Sequence, residues 1–432
     1  MSGPPRGKSM SYRRCERALD KARAGRSRWS AWVPGRIEVL GKHTDYAGGR
    51  SLLCALERGF AVRIAPRRDA MVRVHNVAGQ ELFEVPLTVD ATGSPGHWTD
   101  YAATVTRRLA RNFHGLRHGA DIAFVSDLPS AAGMSSSSAL LISVFFAIAR
   151  SNRLSSRADY RRAITTREQL AAYLGATENG RPFGRLRGDV GVGTLGGNQD
   201  QIAITCAEAG RLVRYGWSPV RHESTVALPA GYTFALATSG VAAPKTGTAM
   251  ARYNHAAAAV QRLTAEWNAR TGRHDPMLFD ALTSGPDAPS GLHEIAGALA
   301  DARFTASFLV SRLEQFAEES LEIIPAACDA LSRGALAEFG LLVDRSQQLA
   351  EEKLANQIPE TVALQRQARA LGATAASAFG AGFGGSVWAL VPLRMARAFL
   401  GRWQAAYADS FPQRSAAAEF FLSAAGRSAY QF

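Results

Sequence analysis

A chain of 432 residues is longer than one ordinary hydrophobic core supports, so the sequence predicts two domains. Its 47% hydrophobic and 20% charged residues exclude a disordered protein, and the longest apolar run, 138–149, is too short to span a membrane. The net charge of +13 suits a polyanionic ligand such as a nucleotide phosphate, but basic and aromatic residues do not cluster, so no nucleic-acid partner is favoured.

The first half of the chain mixes strand and helix patterns. A basic N-terminal segment, 1–29, contains a short charged helix at 12–25. Alternating β-branched and charged residues then predict strands, and recurring apolar residues predict helices. The strands are expected at 36–40, 60–66, 71–75 and 120–129, and the helices from Ser136 and at 166–177.

The second half is mostly helical. Two domains are expected, an N-terminal one over 30–222 and a C-terminal one over 223–432, in an α+β fold. Strands are predicted at 211–216, 231–239 and 386–392, and helices at 246–270, 296–313, 319–332, 334–350, 359–372 and 393–407.

The four cysteines are widely separated in the chain. Cys15, Cys54, Cys206 and Cys328 form no CxxC pair, which argues against a disulfide framework or a zinc site. The first 30 residues lack the apolar core of a secretory signal. We therefore expect a cytoplasmic protein, as a monomer or a weak dimer.

Three glycine-rich or small-residue loops suggest ligand binding. The first, PGRIEVLGKHTDYAGG at 34–49, combines glycines with charged residues, and the third, at 379–391, has four glycines in six residues. The second, DLPSAAGMSSSSALL at 127–141, leads directly into a helix, whose free N–H groups attract anions. Taken singly, the second loop is more simply an ordinary serine N-cap, and the third is equally well explained as a tight turn.

One carboxylate follows a pair of glycines. Asp200, in GGNQDQIAI, precedes an apolar segment that would hold it at the base of a cleft. A solvated loop aspartate is the simpler interpretation. A phosphoryl-transfer enzyme, however, needs a carboxylate near the acceptor hydroxyl and cations near the transferred phosphate.

The order of these segments resembles the GHMP small-molecule kinases. The segments are PGRxxxxGxHTDYxGG, PxxxGxSSS, GxxDQ and GAGFGG, and the first is similar to that of the galactokinase family. WTDYAATV at 98–105 is similar to the family's Trp-x-x-Tyr segment, and 239–241 with Lys245 and Tyr253 to a later one. The resemblance covers residues 34 to 391 and implies a two-domain α+β fold with the active site between the domains.

The resemblance also implies the ligands and their contacts. ATP and Mg²⁺ are the expected cofactors, with a small sugar as substrate. The residues implied for ATP are Gly133, Ser135, Ser136, Ser137, Ser138, Gly382 and Gly384. Ser137 and Glu178 are implied for the metal. The 22 residues between Glu178 and Asp200 exceed the family's usual spacing, and the excess, 181–190, is expected to be an exposed basic insertion.

By the same resemblance, Arg36 and Asp200 are catalytic, and Lys42, His43, Asp45 and Tyr253 contact the sugar. Asp200 would face the anomeric hydroxyl, either as a base or by positioning it. The implied activity is that of an ATP-dependent sugar 1-kinase acting on galactose. The alternatives are a related kinase for a uronic acid, arabinose or a heptose, and an inactive sugar sensor.

Two positions depart from the galactokinase pattern. Glu38 stands where asparagine is usual, and Lys42 where a glutamate faces the C6 end of the sugar. Lysine is rare here, five of 50 basic residues. We hypothesise that Lys42 faces C6 and favours a carboxylate there, because charge-assisted hydrogen bonds are the stronger kind. Pairing with Glu38 is the alternative.

Overall fold

The structure is a computed structural model that describes residues 3–242 and 247–432. Across these ranges, no helix combines the length and the apolar character needed to cross a membrane. The strands of the first half are β1 (Trp29–Leu40), β2 (Arg50–Pro66), β3 (Met71–Asn76), β4 (Glu81–Pro86), β5 (Ala120–Ser126), β6 (Arg211–Trp217) and β7 (Val220–Ala227). Its helices are α1 (Ser9–Lys21), α2 (Trp98–Asn112), α3 (Ser136–Ser151), α4 (Ala158–Ala163), α5 (Arg167–Asn179) and α6 (Gln199–Cys206).

The second half supplies most of the helices. These are α7 (Gly247–Thr271), α8 (Leu278–Leu282), α9 (Ala288–Ala298), α10 (Ala306–Glu318), α11 (Ile324–Ser332), α12 (Leu336–Glu352), α13 (Pro359–Ala370), α14 (Ala396–Ser410) and α15 (Pro412–Ser415). A turn of π-helix, Glu319–Ile323, joins α10 to α11. The strands are β8 (Tyr232–Thr238), β9 (Ala375–Phe379), β10 (Ser386–Pro392), β11 (Phe420–Ser423) and β12 (Tyr430–Gln431).

The first sheet is built on the long antiparallel pair β1 and β2. All twelve residues of β1 are buried, because the strand is covered on both faces. The strand order is β12-β1-β2-β5-β3-β4, with β6 pairing β2 and β7 pairing β6. Strands β3 and β5 run parallel, whereas the other pairs are antiparallel.

The second sheet has the order β11-β8-β10-β9 and is antiparallel throughout. Its core contains Trp388, which packs edge-on against Phe234 at a centroid distance of 5.6 Å. Helix α13 packs against β9 and β10, and helix α14 packs against β8 and β11. The α+β fold predicted from the sequence is therefore confirmed.

The domain boundary differs from the expected one. Residue 222 lies inside β7, which belongs to the first sheet, and the second sheet begins only with β8. The last strand, β12, returns to the first sheet beside β1. The N-terminal segment is also integrated, because α1 buries Cys15 and Leu19 against the first sheet.

The sequence misjudged some elements for identifiable reasons. The single helix predicted at 296–313 is two helices, α9 and α10, because Thr305 caps a new start by accepting from the Phe308 amide at 3.2 Å. Strand β9, AASAF, was not predicted, since alanine favours helix in isolation. Its burial between β10 and the covering helices overrides that preference.

The packing of Trp388 leads to a stability prediction. Trp388→Ala should lower the free energy of unfolding by about 3–5 kcal/mol, because it removes a fully buried ring and leaves a cavity. Urea denaturation measures this loss. Leu341→Ala, at a side chain that is 68% exposed on α12, is the control and should change stability by less than about 0.5 kcal/mol.

Candidate active site

Two adjoining cavities are lined by the first sheet and by the glycine loop after β9. The outer cavity measures about 540 Å³, within the range of small-molecule and cofactor sites. The inner cleft is much smaller, about 70 Å³, and is lined mainly by polar side chains. They share Arg36, Ala381 and Gly382, so ligands in the two would lie side by side.

Arg36 and Asp200 form an ion pair at the junction of the cavities. The Arg36 Nε and Nη2 atoms each lie 2.8 Å from Asp200 Oδ1. Arg36 Nη1 donates to the carbonyl oxygen of Gly133 in the loop before α3. Strand β1, the first turn of α6 and the small-residue loop therefore meet at one guanidinium group, which is only 4% exposed.

His43 faces the inner cleft as a neutral ring. Its Nε2 donates to the carbonyl oxygen of Ala381 at 3.0 Å, and its Nδ1 accepts from the Tyr46 hydroxyl at 2.8 Å. Burial lowers the pKa of His43 to about 3, and the nearby Arg312 charge acts in the same direction. Tyr253 packs on this ring at 4.8 Å, so both predicted side chains line the cleft.

Asp45 is oriented by backbone amides. Its Oδ1 accepts from the Tyr46 amide at 2.9 Å and its Oδ2 from the Gln199 amide at 3.2 Å. A Cβ atom at Gly197 would lie 2.4 Å from Asp45 Oδ2, so only glycine permits this approach. The structure thus brings five of the predicted site residues together in the inner cleft: Arg36, His43, Asp45, Asp200 and Tyr253.

Lys42 lies elsewhere, contrary to the hypothesis from the sequence. Its side chain is 1% exposed, and Nζ donates to Ser377 Oγ at 2.7 Å and to Ser346 Oγ at 3.1 Å. These serines belong to β9 and α12, and Lys42 does not line the inner cleft. Its ammonium group also makes no ion pair with Glu38 among the described residues, although its charge favours the ionised form of that carboxyl.

The loop that carries Lys42 and His43 is held by helices of the second half. Arg312 of α10 donates to the His43 carbonyl oxygen and to the Tyr46 hydroxyl. In the π turn, Glu319 Oε1 accepts from the Gly41 amide at 2.7 Å and from Ser346 Oγ at 3.0 Å. These buried contacts explain the direction of Lys42, since they tie this part of the loop to the helices of the second half.

The loop before α3 brings a different serine to Glu178 from the one expected. Ser138 Oγ donates to Glu178 Oε2 at 2.8 Å, and Gln201 Nε2 donates to the same oxygen at 2.6 Å. Ser137, predicted as the metal-side hydroxyl, lines the outer cavity instead. The helix starts at Ser136, and this fixes which hydroxyl turns inward.

The outer cavity has the features of a phosphate-binding site. Gly133, Ser135, Ser136 and Ser137 line it, together with Gly382 and Gly384, whereas Ser138 does not. Ser135 Oγ is buried and has no hydrogen-bond partner in the described parts of the chain. Such an orphaned hydroxyl fits a phosphate oxygen. Five aromatic residues also line this cavity and form its aromatic wall: Phe60, Trp98, Tyr101, Phe124 and Phe379.

A divalent cation fits the junction of the cavities only with help from a phosphate ligand. Within residues 3–242 and 247–432, no group of three or more His, Cys, Asp or Glu side chains forms a metal cluster. Glu178 and the serine hydroxyls nevertheless offer the few oxygen donors that Mg²⁺ takes from a protein when substrate phosphates complete its shell.

Sequence reasoning missed Gln199 and the contacts that anchor the insertion at 181–190, which is exposed or half-exposed along its length as expected. Gln199 lines the inner cleft, and its position directly before Asp200 in GGNQD was the available signal. Asp189 accepts from Arg111 at 2.9 Å and lies 3.4 Å from Arg107, so the insertion packs on α2 rather than standing free. Lys245 lies outside the described residues.

Three known sequence signatures match the chain. The galactokinase galactose-binding signature matches residues 21–66, the GHMP kinase N-terminal domain 100–208 and the GHMP kinase C-terminal domain 327–409. The first signature contains Arg36 and Asp45, and the second contains Glu178 and Asp200. Both halves of the candidate site therefore fall within matched regions.

Galactokinases are also similar to this chain over shorter and longer stretches. That of Actinobacillus pleuropneumoniae serotype 5b (strain L20) is 35% identical over 115 residues, 27% of this chain and 30% of that protein. This match spans less than a third of the relative's length. That of Chloroflexus aggregans (strain MD-66 / DSM 9485) is 27% identical over 383 residues, 88% of this chain and 87% of the relative.

A solved structure shares the fold over nearly the whole chain. The crystal structure of Lactococcus lactis galactokinase complexed with galactose superposes with a TM-score of 0.78 at 21% identity. The superposition covers 96% of this chain and 98% of that one. At this identity, the likeness shows the common fold.

The placement of Lys42 leads to a prediction on stability rather than specificity. Lys42→Glu should destabilise the protein by about 3 kcal/mol or more, because it adds a carboxylate to a buried region that already holds Glu38 and Glu319. Lys42→Met keeps the length without the charge and should cost less. Thermal unfolding compares the two. A stable Lys42→Glu protein with altered sugar preference would restore the original hypothesis.

Proposed function

Because the chain belongs to the GHMP kinase superfamily and is galactokinase-like, we propose that it transfers the γ-phosphoryl group of ATP to the anomeric hydroxyl of galactose. The observation that carries this proposal is the Arg36–Asp200 pair at the junction of a nucleotide-sized cavity and a small polar cleft. The geometry supports a sugar hydroxyl and a phosphate meeting at that pair.

The inner cleft would hold the sugar. Asp45 offers carboxylate oxygens to neighbouring hydroxyls, and the Tyr253 ring packs against His43 to form an apolar wall. Asp200 would accept the proton of the anomeric hydroxyl or position that hydroxyl for attack on phosphorus. Arg36 would stabilise the negative charge that develops on the phosphoryl group, and its fixed position limits reorganisation.

The outer cavity would hold ATP, with the phosphates on the loop 133–137 and the base against the aromatic wall. Bound Mg²⁺ would neutralise charge on the β- and γ-phosphates. Glu178 is the carboxylate suited to hold it, and Ser138 positions that carboxylate through its hydrogen bond.

A neutral sugar is favoured over a uronate. Four carboxyl groups line the inner cleft, those of Glu38, Asp45, Glu178 and Asp200. Among the lining residues that the structure describes, the cationic side chain is Arg36, which is already paired with Asp200. The ammonium group of Lys42, which had suggested a uronate, is directed away from the cleft. A sugar carboxylate would therefore meet repulsion there.

The activity is tested by ADP release with a panel of sugars. The purified protein should turn over ATP with galactose and Mg²⁺, and far more slowly with galacturonate or glucuronate, because of the carboxylates in the cleft. Reactions without sugar and without Mg²⁺ are the controls. Silence with every aldose and uronate would overturn the proposed function and favour an inactive sugar sensor.

A second test addresses Asp200. Asp200→Asn should lower kcat by about 10²-fold while nucleotide affinity stays nearly unchanged, because the carboxylate acts on the acceptor hydroxyl. Steady-state kinetics with a nucleotide-binding titration separates the two effects. Asp409→Asn, at an exposed position on α14, is the matched control. Turnover of Asp200→Asn at the rate of the control would contradict the assignment.

A further inference from the structure

Glu38 is a buried carboxyl group in the inner cleft with no role in the transfer described above. It lies two residues after Arg36 on β1, so the two side chains share one face of the strand. Only 2% of Glu38 is exposed. Its Oε1 has no hydrogen-bond partner among residues 3–242 and 247–432. A buried carboxyl held by one oxygen requires a compensating reason to persist.

The other oxygen of Glu38 holds Gln199. Gln199 Nε2 donates to Glu38 Oε2 at 2.5 Å, and Gln199 Oε1 accepts from Ser51 Oγ at 2.7 Å. The backbone amide of Gln199 donates in turn to Asp45 Oδ2. Gln199 thus transmits the position of Glu38 to the carboxylate suited to bind the sugar hydroxyls.

The charges around Glu38 come from three elements. Burial has the largest effect and raises the pKa of Glu38 to about 7. Arg36 on the same strand and Lys42 on the following loop lower it, as does the Gln199 hydrogen bond, whereas Glu319 of the π turn raises it. The carboxyl therefore changes its charge close to neutral pH.

The neighbouring titratable groups keep their charge state in that range. The pKa of His43 is lowered to about 3, and burial raises the pKa of Tyr46 to about 12. Burial also raises the pKa of Tyr253 well above its ordinary value. Glu38 is consequently the member of this group that titrates between pH 6 and 8.

We propose that Glu38 is a positioning residue, which fixes Gln199 and thereby Asp45, and that its hold is stronger when its carboxyl group is ionised. The inference rests on the proposed function for its reading of Asp45 as a sugar ligand. The physical reason is that a charge-assisted hydrogen bond is roughly twice as strong as a neutral one. Protonation weakens the Gln199 bond and lets Asp45 move from its sugar-binding orientation.

The kinetic test compares the pH dependence of the galactose KM in the wild type and in Glu38→Gln. The wild-type KM should fall about fivefold as the pH rises through 7, since ionisation strengthens the bond by roughly 1 kcal/mol. Glu38→Gln is neutral at every pH and should keep the high KM throughout, with kcat within about twofold of wild type.

Exposed Glu294→Gln on α9 is the matched control and should follow the wild type. Should Glu38→Gln not fold, Glu38→Asn, whose amide is too short to reach Gln199, should show the same pH-independent high KM. A Glu38 variant whose KM equals that of the wild type across the whole pH range would overturn the inference.

A double-mutant cycle tests the interaction between Glu38 and Gln199 without relying on an activity measurement. Urea unfolding of the wild type, Glu38→Gln, Gln199→Leu and the double variant gives the coupling between the two side chains. The coupling should be larger at pH 8 than at pH 5.5. Equal coupling at both pH values would overturn the inference. Absence of kinase activity together with pH-dependent coupling would instead reject the proposed function and leave the hold on Gln199 established.

The pH dependence of stability tests whether the pKa of Glu38 is raised in the folded protein. The folded carboxyl keeps its proton above the ordinary pKa of 4.5, so the wild type loses stability as the pH rises from about 4.5 to 7. Glu38→Gln should remove this loss, and its melting temperature relative to wild type should increase over that range. A constant difference between the two proteins would show that Glu38 is ionised throughout, and would contradict the proposed switch in its hold.

Discussion

The structure depends on the buried polar contacts that tie the loop after β1 to the helices of the second half. Arg312, Glu319 and Lys42 are all almost fully buried, and each joins this loop to the α10–α12 region. Charged groups in a low-dielectric interior are costly unless their partners are in place. The loop therefore has one favourable conformation, and that conformation directs His43 and Asp45 into the inner cleft.

The cleft combines this fixed loop with a carboxyl group, that of Glu38, whose charge changes with pH. Arg36 pairs directly with the carboxylate of Asp200. The pKa of Glu38, in contrast, is raised to about 7 by burial, so its carboxyl group is partly protonated near neutral pH. Packing and electrostatics thus have separate tasks. The helices set where the ligand-facing groups lie, and the state of one carboxyl sets how firmly Asp45 is held.

The sequence predicted the α+β class and the residues that meet at the cleft, because glycine-rich loops and charged residues in a fixed order are local signals. It did not predict the direction of Lys42. That direction is decided by Ser346 and Ser377, more than 300 residues further along the chain, and no local pattern reports such partners. Nor did it show that Ser138 is the serine that hydrogen-bonds Glu178, since one residue of helical phase turns a hydroxyl by about 100°.

The final segment of the chain has a mechanical consequence. Strand β11 belongs to the second sheet and β12 to the first, and between them Gly426 donates to the Ala55 carbonyl oxygen on β2 at 2.7 Å. The segment 420–431 thus forms hydrogen bonds with both sheets and connects them. Neither sheet can unfold alone without breaking the hydrogen bonds between this segment and the other sheet. The two halves should therefore unfold as one cooperative unit. This connection opposes a wide separation of the two sheets and favours opening of the cleft through loop and side-chain rearrangements.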